Sequence, residues 1–287
     1  MLQRGCADVS RDARYVQGRS LTRSEIAVPI ILNKRAIGAL NLESDQLAAF
    51  TEDDVEVLQF FADAAAISIQ KAMLHQQLLE RELISKQLET ARVVQSRLLP
   101  ARSPDLFGYD IAGICISADE IGGDYFDYIP VSNNRLGLVV ADVSGHGIPS
   151  ALVMTAFRAL LRTKARRTSS LASMASSINR LLPEFTGDNH FVTVLYAVLE
   201  PSTGRLSYIS CGHPPPLILH ANGEVAKLEA HNAALGIFED LTFTEAETHL
   251  APGEALVLYT DGVVELMNPE DEIFGIPRLV KVIQENQ

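Results

Sequence analysis

Cysteine is scarce in this chain: Cys6, Cys115 and Cys211 stand far apart and form no C-x-x-C pair. That spacing argues against a disulfide framework or a structural zinc site and fits a reducing, cytoplasmic setting. Basic residues are also in deficit, with 24 Lys and Arg against 36 Asp and Glu and a net charge of −12. So acidic a chain lacks the electrostatic footprint of a nucleic-acid binder, and no nucleic-acid partner is expected. No apolar run reaches the roughly 18 residues of a membrane span, and the opening MLQRGCADVSRDARYVQGRS has no signal-peptide core. The chain therefore reads as soluble, with no membrane span. Three catalytic motifs are missing as well: there is no G-x-S-x-G elbow, no G-x-x-x-x-G-K-[ST] loop and no H-E-x-x-H helix.

What is present is enough apolar sequence for substantial cores, 47% of 287 residues, and a length that suggests two folded units. In EIAVPIILNKRAIGALNLES the apolar runs 26–32 and 36–42 flank Asn33-Lys34, which predicts a hairpin. Thr51 before Glu52-Asp53-Asp54 is a good N-cap with acids in the first turn, and apolar Val55, Leu58, Phe61, Ala62, Ala65 and Ile69 continue as a helix. Residues 70–98 contain neither Gly nor Pro, and Leu74, Leu78, Ile84, Leu88, Ala91 and Leu98 fall near a 3.5-residue seam. That seam predicts a helix packed on a partner helix, and pairing with its twin would make the chain a homodimer, with Arg81 and Gln95 as polar interruptions.

After Pro100 the pattern turns to short strands, at 109–117, 125–131, 135–141, 191–199, 205–210, 216–220 and 255–260. Turns at Ser132-Asn133-Asn134, Ser202-Thr203-Gly204 and Asn222-Gly223 link several of them. Two helices interrupt the strands, one over 149–163 that is apolar on nearly all sides and one over 170–182. The predicted class is α+β, a layered domain with two stacked sheets covered by helices.

Three strand ends in this region share one feature. ADEIGGDYFDY puts Gly122-Gly123 before Asp124, VVADVSGHG puts Asp142 before a glycine turn, and LVLYTDGVVE puts Asp261 before Gly262. Carboxylates that converge repel unless cations sit between them, and hard oxygen ligands suit Mg²⁺ or Mn²⁺. Each aspartate alone has an ordinary reading: Asp-Gly is a common turn, Asp142 would serve as a capping acid, and Asp124 as a satisfied edge carboxylate. Asp127 and Glu120 read as solvent-facing acids. The joint pattern of the three is what points to a metal site. His146 in its glycine turn reads as a hydrogen-bonding or substrate-facing group, and His213 in SCGHPPP as part of a rigid turn.

These segments, taken in order with HFVTVLYAVLEPSTGRLSYISCGHPPPLIL, resemble the PPM-type metal-dependent serine/threonine phosphatases, in their SpoIIE/RsbU branch, over about residues 100–287. The upstream hairpin and helix resemble the C-terminal half of a GAF sensory domain. The expected organisation is a partial GAF domain at 1–72, a connecting coiled-coil helix at 73–99 and a phosphatase domain at 100–287 with αββα layering. The resemblance implies that Asp124, Asp142 and Asp261 are catalytic metal ligands, that Val143 adds its backbone carbonyl, and that Gly145, His146 and Gly147 lie near the substrate phosphate. It implies a binuclear Mn²⁺ or Mg²⁺ centre and a phosphorylated protein substrate, with a STAS-type anti-sigma-factor antagonist expected by analogy. The GAF unit implies a small-molecule ligand. Family members continue into a strand with an Asp-Asp-x-Thr signature that is absent before LVKVIQENQ ends. The sequence therefore also supports the expectation of a C-terminally incomplete domain in a fragment, with a weak or inactive dimeric scaffold as the alternative function.

Overall fold

The computed structural model describes residues 4–13, 15–131, 134–167, 170–186, 190–229 and 232–286. The chain divides into two compact units, Met1–Lys86 and Gln87–Gln287.

In the first unit β1 (Arg4–Cys6), β2 (Ser24–Leu32) and β3 (Arg35–Ser44) form an antiparallel sheet in that order. Asn33 and Lys34 both take positive φ, 49° and 63°, which gives the two-residue turn whose twist matches that of its strands. Alternation along β2 turns Ile26, Val28 and Ile30 to one face, where they pack with Val55, Leu58, Ala62 and Ala66 of α1 (Glu52–Ser96). Full burial of such a side chain stabilises by about 1.5–3 kcal/mol. The helix begins where Thr51 and Asp54 cap reciprocally: the Asp54 carboxylate accepts from the Thr51 backbone N–H at 2.8 Å, and the Thr51 hydroxyl oxygen accepts from the Asp54 N–H at 3.4 Å. With no Gly or Pro to break it, α1 runs on for 45 residues. The seam residues Leu74, Leu78 and Ile84 are exposed. One part of α1 departs from the expectation of no membrane-length apolar stretch: the helix contains an 18-residue window of mean hydropathy 1.2. Part of that apolar content belongs to the sheet-facing stripe just described.

The second unit holds two sheets. The larger has strand order β10-β7-β6-β5-β4, built from β4 (Tyr125–Val131), β5 (Arg135–Val143), β6 (Val192–Glu200), β7 (Arg205–Cys211) and β10 (Ala246–His249). The smaller has order β11-β8-β9, from β8 (Leu217–Leu219), β9 (Val225–Lys227) and β11 (Ala255–Val257). Pairing is antiparallel throughout. Between β5 and β6 lie α2 (Gly147–Ala165), α3 (Leu171–Leu181) and the single turn α4 (Pro183–Thr186), and the chain continues through α5 (Asp261–Val264) and α6 (Gly275–Glu285).

One face of the larger sheet, with Tyr125, Val139, Val143 and Tyr196, packs against Met154, Phe157 and Leu161 of α2 and Ile178 of α3. Its other face, with Leu199, Leu206 and Tyr208, meets Leu256 of the smaller sheet. Leu217 and Tyr259 then pack with Leu279 of α6. The resulting order of helices, sheet, sheet and helix is the layered arrangement expected from the sequence.

Two expectations need correction. Residues 109–117 form no strand: only an isolated bridge joins Leu106 to Tyr109, and Ile114 and Ile116 stand 81% and 80% exposed with no layer over them. Asp127 does not face solvent. It is 1% exposed on the α2 side of β4, where Arg162 donates to both its oxygens at 2.6 and 2.8 Å and the Tyr125 hydroxyl donates at 2.5 Å. Charged partners delivered by another element make such burial tolerable, and nothing local to ADEIGGDYFDY announces them. Of the turn predicted at Ser132-Asn133-Asn134, the first two residues lie outside the described ones.

Candidate metal centre

Strand register brings the first two aspartates together. The β4–β5 pairing runs to Tyr125↔Ala141, so one step further Asp124 stands opposite Asp142. Both point away from the α2 face, because Tyr125, Ala141 and Val143 fill the core on that side. Asp261 arrives from the other sheet as the first residue of α5, after N-cap Thr260. The Thr260 hydroxyl stands close enough to the Asp124 carboxylate to oppose the rise in its pKa, which places the turn of Asp261 beside the end of β4.

The three carboxylates act on one another's charge. Burial, then Asp124 and Asp261, push the Asp142 carboxyl up to about 7, against an opposing hydrogen bond from the Val143 backbone. Burial and then Asp261 also raise Asp124 above the usual carboxylate range, against the Thr260 hydrogen bond. No lysine or arginine among the described residues offsets either charge. Desolvated like charges without a counter-charge are what a cation relieves, so the donor set fits a hard divalent ion in kind. Among the described residues no three or more His, Cys, Asp or Glu side chains form a closed cluster around one ion position.

Close backbone approach explains one glycine. A Cβ on Gly123 would lie 2.7 Å from the Val143 carbonyl oxygen and 3.3 Å from the Ser150 Cβ, so any side chain there would force the end of β5 and the start of α2 away. Gly145 and Gly147, at φ 90° and 72°, turn the chain from β5 into α2, and exposed His146 is the N-cap of that helix without a side-chain capping bond. The turn is held from behind: the Ser144 N–H donates to the Phe191 carbonyl at 3.0 Å, and His190 Nδ1 donates to the Ser144 carbonyl at 2.8 Å. Asp124 and Asp142 thus stand on neighbouring strand ends with Asp261 near enough to act on both charges, and Gly145, His146 and Gly147 form the turn that follows Asp142 and Val143.

Two further residues support this corner and were not assigned such a place from the sequence. Gln95, near the end of α1, donates to the Gly122 carbonyl at 2.8 Å and accepts from the Gly122 N–H at 3.3 Å. In the sequence it is only a polar break in an apolar seam. His213 is 7% exposed between the sheets, with Nε2 3.1 Å from the Tyr259 carbonyl and Nδ1 2.9 Å from the Thr193 hydroxyl. A carbonyl only accepts, so Nε2 carries the proton and the Thr193 hydroxyl donates to Nδ1. Thr193 pairs with Asp142 across β5 and β6, and Tyr259 precedes Asp261 by two residues. The ring therefore spans the two strand ends that carry these aspartates. Burial holds it neutral, with its pKa lowered to about 4. The three prolines behind it pointed to rigidity, but no local pattern reveals partners 20 and 46 residues away.

Comparison with known proteins agrees with this architecture. Residues 132–287 match the family model of the stage II sporulation protein E (SpoIIE), and residues 6–70 match a GAF-domain model. Protein IcfG of Synechocystis is 30% identical over 68% of this chain and 35% of its own length, and phosphoserine phosphatase RsbU of Bacillus subtilis is 29% identical over 67% and 57%. The chain thus spans about a third to somewhat over half of these relatives. Among solved structures, the SiaA-PP2C domain of Pseudomonas aeruginosa superposes with a TM-score of 0.59 at 19% identity, covering 72% of this chain and 84% of that one. The RsbU and RsbW domains of a Mycobacterium tuberculosis protein give 0.52 at 27% identity, covering 59% and 47%. With the SpoIIE model matching more than half of its residues on a PP2C-like layered fold, and a GAF region ahead of it, this chain belongs to the SpoIIE family.

Proposed function

We propose that this chain is a metal-dependent phosphoserine/phosphothreonine protein phosphatase of bacterial signal transduction. The observation that carries the reading is the mutual repulsion of Asp124, Asp142 and Asp261, which no basic side chain among the described residues relieves. The name of the Bacillus relative, a phosphoserine phosphatase, supports the substrate class. Asp124, Asp142, Asp261 and the Val143 carbonyl would hold Mn²⁺ or Mg²⁺ as a binuclear centre. Such ions supply charge neutralisation at phosphoryl oxygens and lower the pKa of bound water.

The chain's own residues do the remaining work. Thr260 stands beside the Asp124 carboxylate, Gly123 lets that loop close on Val143, and the glycine turn at 145–147 leaves His146 open to a phosphate group. The acidic surface suits a phosphoprotein brought in by specific contacts rather than by general attraction, and a STAS-type anti-sigma-factor antagonist is the target we assign. In this reading residues 1–72 form the GAF sensor for a small-molecule ligand, residues 73–99 the connecting helix through which a homodimer forms, and residues 100–287 the phosphatase domain of a cytoplasmic protein. The exposed seam of Leu74, Leu78 and Ile84 supports the dimer.

The test is phosphate release from a phosphoserine peptide with and without Mn²⁺, beside the Asp142→Asn variant. Release that needs Mn²⁺ and is lost in the variant is the expected result. No release from folded protein would favour a scaffold with a phosphatase fold.

A further inference from the structure

A cavity of about 390 Å³ lies on the α2 side of β4, away from the face of the sheet that carries Asp142. Its lining includes Arg97, Arg102, Arg158 and Arg162, with Asp127 as the one carboxylate. In a chain with a net charge of −12, four guanidinium groups around one acid are a local reversal of sign.

The four fall into two kinds. Arg162 is fixed by its two-pronged pair with Asp127, at 2.6 and 2.8 Å. Arg158, one helical turn earlier, donates from Nε to the Leu98 carbonyl at 2.8 Å and sits 4.0 Å from Asp127. Those bonds set both side chains in place before any ligand arrives, which removes much of the entropy cost of ordering them. Arg97 and Arg102 are exposed at the rim, and their side chains have no hydrogen bond or ion pair to another described residue. Asp127 can neutralise one of these charges, so a surplus remains.

We propose that this cavity binds a small phosphate ester. The guanidinium fork matches phosphate oxygens, and bonds to an ionised acceptor are the strong ones. Arg97 and Arg102 supply the mobile contacts, Arg158 adds the terminal nitrogens that its Nε bond leaves over, and Leu99 and Pro104 line room for a compact organic group. The volume lies within the roughly 300–1,000 Å³ of small-molecule sites, which favours a free ligand over a phosphorylated protein. The site stands independently of the aspartate centre.

Calorimetric titration of the full chain in EDTA, at low and moderate salt, tests it with phenyl phosphate and inorganic phosphate. EDTA leaves the aspartate centre without a cation to attract phosphate. The expected result is saturable one-site binding of phenyl phosphate that weakens with salt. The Arg97→Gln/Arg102→Gln variant should bind at least roughly tenfold more weakly, as loss of a charge-assisted hydrogen bond implies. Both substitutions are at exposed positions, and circular dichroism checks that the fold is kept. Asp142→Asn should bind as the parent does. No saturable binding, or binding that the double arginine variant leaves unchanged, would overturn the site. A phosphoserine peptide that binds more tightly than phenyl phosphate would overturn the small-ligand assignment.

Discussion

Strands β3 and β6 both carry apolar residues on each face and lie in opposite environments. In RAIGALNLES almost every residue of β3 is exposed or half-exposed, whereas VTVLYAVLE of β6 is buried along nearly all its length. Layers as well as composition set the difference: the first unit lays one helix on one sheet, and the second covers its larger sheet with α2 and α3 on one side and the smaller sheet on the other. A layer boundary between two sheets also creates a place where charged and polar groups from distant strands can be enclosed together. The aspartates and His213 sit at such a boundary.

The largest effect that separates the two environments should come from Leu195→Ala in β6, at 1% exposure. A loss of about 2–5 kcal/mol is expected, read as a lower urea midpoint by circular dichroism. A loss under about 1 kcal/mol would mean that the double coverage of β6 is loose.

The second effect belongs to the sheet boundary itself. His213 ordinarily would titrate near 6.5 and is held at about 4 in the fold. As pH falls through 6.5 the unfolded chain takes up a proton that the folded chain refuses, so stability is full above that range and declines toward pH 4. The decline should reach about 2 kcal/mol by pH 5. His213→Gln cannot charge and keeps a donor for Tyr259. Its urea midpoint should change less between pH 7.5 and 5 than that of the parent, because the carboxylates shared by both proteins cancel in the comparison. Parallel pH curves would place His213 in contact with water.

A third effect separates stability from function at one residue. In EDTA at pH 8, Asp142→Asn removes one of three mutually repelling charges, so the metal-free protein should gain about 1–2 kcal/mol, discounted for the partial exposure of the site. Differential scanning calorimetry would register a higher Tm. A lower Tm would mean that Asp142 is satisfied without a cation. The smallest effect should be Leu42→Ala on β3, where the side chain is 45% exposed. A change within about 0.5 kcal/mol is expected by urea titration. A cost like that of Leu195→Ala would show that Leu42, opposite Ile26 at the end of the helix-facing side, is covered in solution.

Much of this was legible in the sequence, for local reasons. The β2–β3 hairpin shows in its apolar runs around Asn33-Lys34, and the helix start in Thr51 with its acids, because turn and cap chemistry is written in adjacent residues. The three aspartates stand out because an acid beside glycine at the end of an apolar strand is a local anomaly. Asp127 was misread because its partner Arg162 lies 35 residues on, and alternation marks the faces of β4 without naming what faces them. His213 and Gln95 escaped for the same reason: each acts through backbone or hydroxyl groups brought close only by sheet stacking or by the end of α1. The segment 109–117 has strand composition, yet no ladder or covering layer reaches it.

Gly123 carries a consequence for how such a chain can change over time. A core position such as Leu195 has near neighbours in size, and a lineage can drift among them with compensating shifts nearby. At 123 every alternative adds at least a Cβ 2.7 Å from the Val143 oxygen, and none is smaller than what is there. The residue has no conservative neighbour in amino-acid space, so a descendant with any other residue at 123 should be one that has given up the corner where Asp124 meets Asp142.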